Sequence, residues 1–211
     1  MSRESILHRV RTALGRNEGQ AIAAAPEPRL RVPQMLPAAR PENVRRALEA
    51  LAGKMHRAAT GAEARALVAE TLAGRSAVAS NAPFLVECGI ASLPGVRTGF
   101  RDAAALREAC ISAAVGITSA DYLLADTATL VLLSSVEEAR MISLLPPAHI
   151  AVVPAARILS GLDELFSRLP KPAETTSSMV MITGPSRTGD IEMTLVRGVH
   201  GPGEVTLVLV G

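Results

Sequence analysis

The sequence predicts an α/β fold, a mainly parallel sheet with flanking helices. Short apolar runs of β type recur at 76–80, 129–133, 149–153, 179–183 and 205–210. They are continuously apolar rather than alternating, as strands covered on both faces are. Stretches with helical spacing lie between them, and glycine or proline separates the two kinds of segment. Alternation of this sort places strands side by side and in parallel, with the helices on both faces of the sheet.

Taken in order, Ile6, Leu7, Val10 and Leu14 recur at helical spacing among Arg3, Arg9, Arg11 and Arg16. This predicts a short amphipathic helix ended by Gly15 and Asn17, one that either caps its own domain or docks onto a partner. Residues 19–41 carry Pro26, Pro28, Pro33, Pro37 and Pro41 and read as a largely extended linker. The expected organisation is therefore a helix and proline-rich linker over 1–40, followed by an α/β domain over 41–211.

Pro41 suits a first helical turn. Val44, Leu48, Leu51 and Met55 then predict a helix running to Thr60–Gly61, and a second helix follows from Ala62 to Leu72. Gly74 ends that helix before the strand at Ser76–Ser80. Asp102 is placed to cap a helix through Ala113. Thr129–Leu133 is a strand, Val136–Leu145 reads as helical up to Pro146, and His149–Val153 is a strand closed by Pro154. Leu162–Leu169 is a short helix. Met179–Thr183 is a strand that leads into a Gly-Pro-Ser-Arg-Thr loop, with Gly189–Val196 read as the helix after it. Val205–Val210 is the last strand.

Composition narrows the function. Aromatic residues make up 2% of the 211 residues, with no Trp and one Tyr. That removes the stacking platforms on which single-stranded nucleic-acid binders rely. A formal net charge of +2 gives no reason to expect a polyanionic partner. Cys88 and Cys110 form no metal-binding or redox motif, so neither a metal nor a cofactor of the chain's own is expected. No apolar run is long enough to span a membrane. A reducing cytoplasm is the simplest location.

The candidate chemistry concentrates between Thr183 and Gly203. In sheets of this kind ligands bind beyond the carboxyl ends of the strands. Gly184 lets the backbone approach a ligand, Ser186 and Thr188 offer hydroxyls, and Arg187 offers a planar fork for a carboxylate or phosphate. A following helix would add free N–H groups. The plainer reading stands beside this one: Thr188 caps that helix, Asp190 complements its dipole, and Arg187 pairs with Asp190, Glu192 or Asp126. His200, between Gly198 and Gly203, has the chemistry of an acid/base near neutral pH. Asp126, Thr127 and Thr129 form a second polar cluster ahead of a buried strand. His8, His56 and His149 read as incidental.

These residues resemble a known family. TGPSRTGDIEMTLVRGVHGPGEVTLVLVG at the C-terminus is similar to the signature of the lactate-utilization protein C family (LutC, the LUD domain). GITSADYLLADTATLVLLSS and LLPPAHIAVVPAARI resemble earlier blocks of the same pattern, so the likeness spans residues 40–211. It implies a NagB/RpiA/CoA-transferase-like fold and a part in oxidising L-lactate to pyruvate. It also implies two iron–sulfur partner proteins, LutA-like and LutB-like, that would carry the electrons. The chain would then be a non-redox accessory subunit that binds a small carboxylate or phosphate. The alternative is a stand-alone enzyme on a small anionic metabolite, isomerase-like or CoA-transferase-like.

Carried over by motif, the acid/base candidates are Asp126, Glu192 and His200. The ligand-binding candidates are Thr127, Thr183, Gly184, Ser186, Arg187, Thr188, Asp190 and Gly201. Family members commonly have glycine where this chain has Ala128, which restricts the backbone at that loop.

Overall fold

The structure is a computed structural model, and it describes residues 2–17, 20, 35–189 and 195–211. The chain divides into two compact units, Met1–Arg31 and Val32–Gly211. In the first, α1 spans Arg3–Ala13, with the Ser2 hydroxyl accepting from the Ser5 N–H as its N-cap. None of its residues is buried. Most of the proline-rich stretch expected to be a linker lies outside the described residues.

The second unit contains, in order, α2 (Arg40–Ala50), β1 (Lys54–Ala58), α3 (Gly61–Leu72), β2 (Ala77–Ala79), α4 (Pro83–Glu87) and β3 (Val96–Arg97). Next come α5 (Ala103–Ser112), β4 (Val115–Thr118), β5 (Tyr122–Leu124), β6 (Thr129–Leu133), α6 (Met141–Leu144), β7 (Ala148–Pro154) and β8 (Ile158–Leu159). It ends with α7 (Leu162–Arg168), α8 (Pro172–Thr175), β9 (Met179–Ile182), β10 (Arg187–Gly189), β11 (Leu195–Arg197) and β12 (Glu204–Val210).

A six-stranded sheet in the order β1-β12-β7-β4-β2-β3 forms the centre, and every neighbouring pair in it is parallel. On one face α3 and α4 pack Val68, Leu72 and Leu85 against Ile117, Ile150, Val152 and Val208. On the other, α2 packs Val44 and Leu48 against Ala151, Val153, Leu207 and Leu209. Burying each such Leu, Ile or Val contributes about 1.5–3 kcal/mol. The α/β architecture expected from the sequence is thus present.

A second sheet, β8-β5-β6-β9, lies over the α2 face. Its β5–β6 and β6–β9 pairs are antiparallel. The apolar run Thr129–Leu133 is a strand, but of this smaller sheet. It is continuously apolar because Leu130 and Leu132 enter the α2 cluster while Val131 packs against Leu159 and Leu165 behind it. Arg40 ties α2 to the same sheet. Its guanidinium donates to the Ile158 carbonyl at 2.7 Å and the Ser160 hydroxyl at 3.1 Å, and pairs with Glu164 at 3.1 Å.

The structure corrects three local expectations. The helix predicted to run to Thr60–Gly61 ends at Ala50. Ala52 takes a left-handed φ of 62°, and Lys54–Ala58 turns out as an edge strand paired with β12. A Cβ at Gly53 would lie 2.5 Å from Leu48 Cδ1, so the turn back needs glycine there. Within Val136–Leu145 only Met141–Leu144 is helical. Ahead of it, the Ser135 hydroxyl accepts the N–H groups of Glu137 and Glu138 and makes a turn instead. The helix expected over Gly189–Val196 is replaced at its described ends by an antiparallel pair, Arg187–Gly189 with Leu195–Arg197. Residues 190–194 of that segment lie outside the described residues.

Candidate functional site

The register of β6 against β9 brings the two polar clusters singled out in the sequence to one corner. Leu130 pairs with Ile182, so Thr129 and Thr183 meet at the strand ends, with their hydroxyls 2.7 Å apart. Thr129 is also 2.7 Å from the Thr127 hydroxyl, which donates to Asp126 Oδ1 at 3.1 Å. A chain of hydroxyls therefore runs from exposed Thr183 through buried Thr129 and exposed Thr127 to exposed Asp126. The turn that holds it includes Ala128 at a φ of 53°, a left-handed conformation that glycine adopts without strain. Asp126 lies over Gly161, where a Cβ would stand 2.5 Å from Asp126 Oδ2.

Gly184 opens the next turn with a φ of 75°, and its Cα packs so closely on Leu51 that a side chain there would meet Leu51 Cβ at 2.9 Å. Ser186 is stitched to the following glycine-rich loop. Its N–H donates to the Pro202 carbonyl at 2.8 Å and its own carbonyl accepts from the Gly198 N–H at 3.0 Å. Gly201 lies against its side chain. Arg187 is exposed and donates from Nη2 to the Leu51 carbonyl at the end of α2.

Thr188 is half-buried within β10, opposite Val196. The loop enters a strand at Arg187–Gly189, so no helix start follows it directly among the described residues. His200 is exposed. Asp190 and Glu192 lie outside the described residues. The structure thus joins Asp126, Thr127, Thr129 and Thr183 directly, and joins Ser186 to the Gly198–Pro202 loop.

A different set of residues lines a crevice of about 410 Å³ beyond the carboxyl ends of β2 and β4. These two strands are neighbours, but β2 leads outward to β3 while β4 leads the other way towards β7. Adjacent strands whose connections diverge leave a gap at their carboxyl ends, the usual place for a ligand in an open α/β sheet.

Glu138 reaches into this gap. Its Oε2 accepts from the Ser80 hydroxyl at 2.9 Å and from the Ser119 N–H at 3.3 Å. Burial pushes its carboxyl up to about 8, against the lowering effect of those two hydrogen bonds. The sequence reading missed Glu138, because it fell inside an apparent helix. Ser80 and Ser119, polar residues directly after short apolar strands, were the available signal.

His149, read as incidental, is buried in β7 and hydrogen-bonded through Nε2 to Thr118 Oγ1 at 2.8 Å. Burial pushes its imidazole down to about 4, so it is neutral at ordinary pH. Cys88 and Cys110 are unpaired and buried, and burial raises both thiols. Among the described residues no group of His, Cys, Asp and Glu could hold a metal ion, and no helix is long and apolar enough to cross a membrane.

Comparison with known proteins places these features in a family. A crystal structure of a DUF162 family protein from Deinococcus radiodurans superposes with a TM-score of 0.63 over 84% of this chain and 99% of that one. At 16% identity, that likeness concerns the fold alone. Lactate utilization protein C of Halalkalibacterium halodurans is 42% identical over 101 residues, which is 46% of this chain and 44% of that protein. The protein of the same name from Bacillus subtilis is 41% identical over 100 residues, 46% of this chain and 42% of that one. The matched segments therefore span less than half the length of either relative. The family model for the LUD domain matches residues 41–210, and the chain belongs to the LUD domain family.

Proposed function

We propose that this chain is a non-redox accessory component of an L-lactate utilization system. The observation that carries the reading is its similarity, at about two residues in five, to proteins named lactate utilization protein C. Iron–sulfur partners of the LutA and LutB kinds would carry the electrons, and the complex would work in the cytoplasm. The ligand would be a small carboxylate or another anion, bound by the hydroxyl chain of Thr127, Thr129 and Thr183 and by Arg187, which is exposed. A guanidinium fork recognises a carboxylate by two parallel hydrogen bonds, and neighbouring hydroxyls add donors. Asp126, at the end of the hydroxyl chain, and exposed His200 would be the groups that exchange protons with such a ligand. We take residues 41–211 as the α/β domain and 1–40 as a docking helix and linker.

Three measurements test this reading. Deleting the gene should abolish growth on L-lactate as sole carbon source; unchanged growth and lactate consumption would sink it. Titration of the purified protein with L-lactate and pyruvate should show binding that Arg187→Ala weakens at least about tenfold. Equal affinity in the variant would remove Arg187 from the site. Deletion of residues 1–20 should abolish co-purification with the iron–sulfur partners, and an intact complex would refute the docking role.

A further inference from the structure

We propose that the crevice beyond β2 and β4 is a second ligand site, which takes an uncharged small molecule bearing hydroxyl or carbonyl oxygens and holds it through the Glu138 carboxyl and the Ser134 hydroxyl. Two buried polar atoms carry the inference. Glu138 is 7% exposed, and its Oε1 has no hydrogen-bond partner among the described residues; nor has Ser134 Oγ. Both residues line the same cavity. Buried polar groups are ordinarily satisfied, so two unsatisfied ones on residues that line one crevice mark a place where a ligand supplies the missing partners. The crevice shares no lining residue with the Arg187 corner, and it lies where the strand connections diverge.

The lining sets the ligand class. Glu138 Oε2 is already an acceptor for Ser80 and Ser119, so a proton on the carboxyl resides on Oε1 and is offered to an oxygen of the ligand. Ser134 both donates and accepts. Asp121 and Glu137 add two further carboxyl groups, against a single guanidinium, Arg157. Arg157 spends one nitrogen on the Ala120 carbonyl at 2.5 Å. An added anion is therefore unwelcome, and an uncharged ligand is favoured. Phe84, Pro83 and Leu133 supply an apolar wall for a flat or aliphatic face. The volume is in the range of ordinary small-molecule sites and well above what a three-carbon acid fills.

The experiment is a saturation-transfer NMR screen of the full chain with adenosine, uridine, D-ribose and nicotinamide, and with L-lactate as the anionic comparison. At least one uncharged probe should bind. Ser134→Ala should weaken it about tenfold, and Glu138→Ala should weaken it further. Glu138→Gln should keep binding, because the amide still accepts from Ser80 and Ser119 and still donates.

Wild-type affinity should also fall as pH rises through about 8, where Glu138 loses its proton facing Asp121, Glu137 and Arg157. The Glu138→Gln profile should stay flat there. The proposal is overturned if no uncharged probe binds, or if binding is unaffected by both Ser134→Ala and Glu138→Ala in variants whose melting is wild-type-like. It is also overturned if L-lactate displaces the probe. The Arg187 titration reads a different corner, so either site can fail without the other.

Discussion

Thr183 Oγ1 lies 2.7 Å from Thr129 Oγ1 and closes a hydroxyl chain between residues 54 positions apart in sequence. Thr129 is the buried member, 4% exposed, and holds Thr127 on its other side. Thr129→Val should cost about 1–3 kcal/mol, because it strips the hydrogen-bond partner from two hydroxyls in a part-buried corner. Thr183→Val, at an exposed position, should cost less than about 1 kcal/mol. Urea unfolding of both variants checks this, and equal costs would contradict the burial argument.

Gly116 and Gly161 should respond differently to alanine. A Cβ at Gly116 would lie 1.8 Å from the Ile142 carbonyl oxygen, a backbone atom of α6 that cannot give way. Gly116→Ala should separate α6 from the central sheet and lose soluble expression. At Gly161 the obstacle is the Asp126 side chain, which is exposed and can turn aside. Gly161→Ala should fold, with a loss of about 1–2 kcal/mol, and should displace the Asp126 carboxylate. Thermal melting and a crystal structure of that variant distinguish the two outcomes.

Arg40 is a clamp between α2 and the smaller sheet. Its hydrogen bonds to the Ile158 carbonyl and the Ser160 hydroxyl, and its pair with Glu164, are partly shielded from water. Arg40→Met keeps much of the aliphatic bulk and removes these donors, and should cost about 2–4 kcal/mol. The exposed pairs of Arg45 with Glu42 and Glu49 are geometrically as close. Arg45→Met should nevertheless leave the unfolding midpoint nearly unchanged, because exposed pairs are screened by water. Chemical denaturation of the two variants side by side reads the difference.

Glu138 and His149 impose opposite pH dependences on stability. The carboxyl of Glu138 is raised to about 8 from an ordinary 4.5, so the stability it confers is complete below 4.5 and lost as pH rises through 8. The imidazole of His149 is depressed to about 4 from 6.5, so its contribution is complete above 6.5 and lost as pH falls through 4. Between 4.5 and 6.5 the two slopes oppose each other. Melting temperatures should therefore decline from 6.5 to 8 because of Glu138. Glu138→Gln should remove that decline, and His149→Gln should flatten the acid side. Unchanged pH profiles in both variants would refute the assignments.

The sequence by itself determined the fold class, the family and most of the buried strands, because continuous apolar runs and helix caps are local properties. The Asp102 cap of α5 and the strand Glu204–Val210 follow from residues that are neighbours in the chain. Its local rules failed where distant segments meet. Lys54–Ala58 is a strand because β12, about 150 residues later, pairs with it, whereas the Leu51–Met55 spacing fits a helix equally well. The segment after Thr188 is extended because Leu195–Arg197 returns against it.

The candidate site divides in the same way. Thr127, Thr183, Ser186 and Arg187 were legible as hydroxyls and a guanidinium near glycine turns. That Thr129 joins Thr127 to Thr183 was decided by the β6–β9 register, and that Arg187 reaches Leu51 was decided by the packing of the loop on α2. The crevice was not legible at all. Ser119, Ser134 and Glu138 come from separate segments that line one space, Ser80 bonds to Glu138 from another, and only the tertiary fold brings them together. Spacing along the chain reports which face a residue prefers. The low-dielectric surroundings that leave Glu138 protonated arise only when the strands and loops close around it.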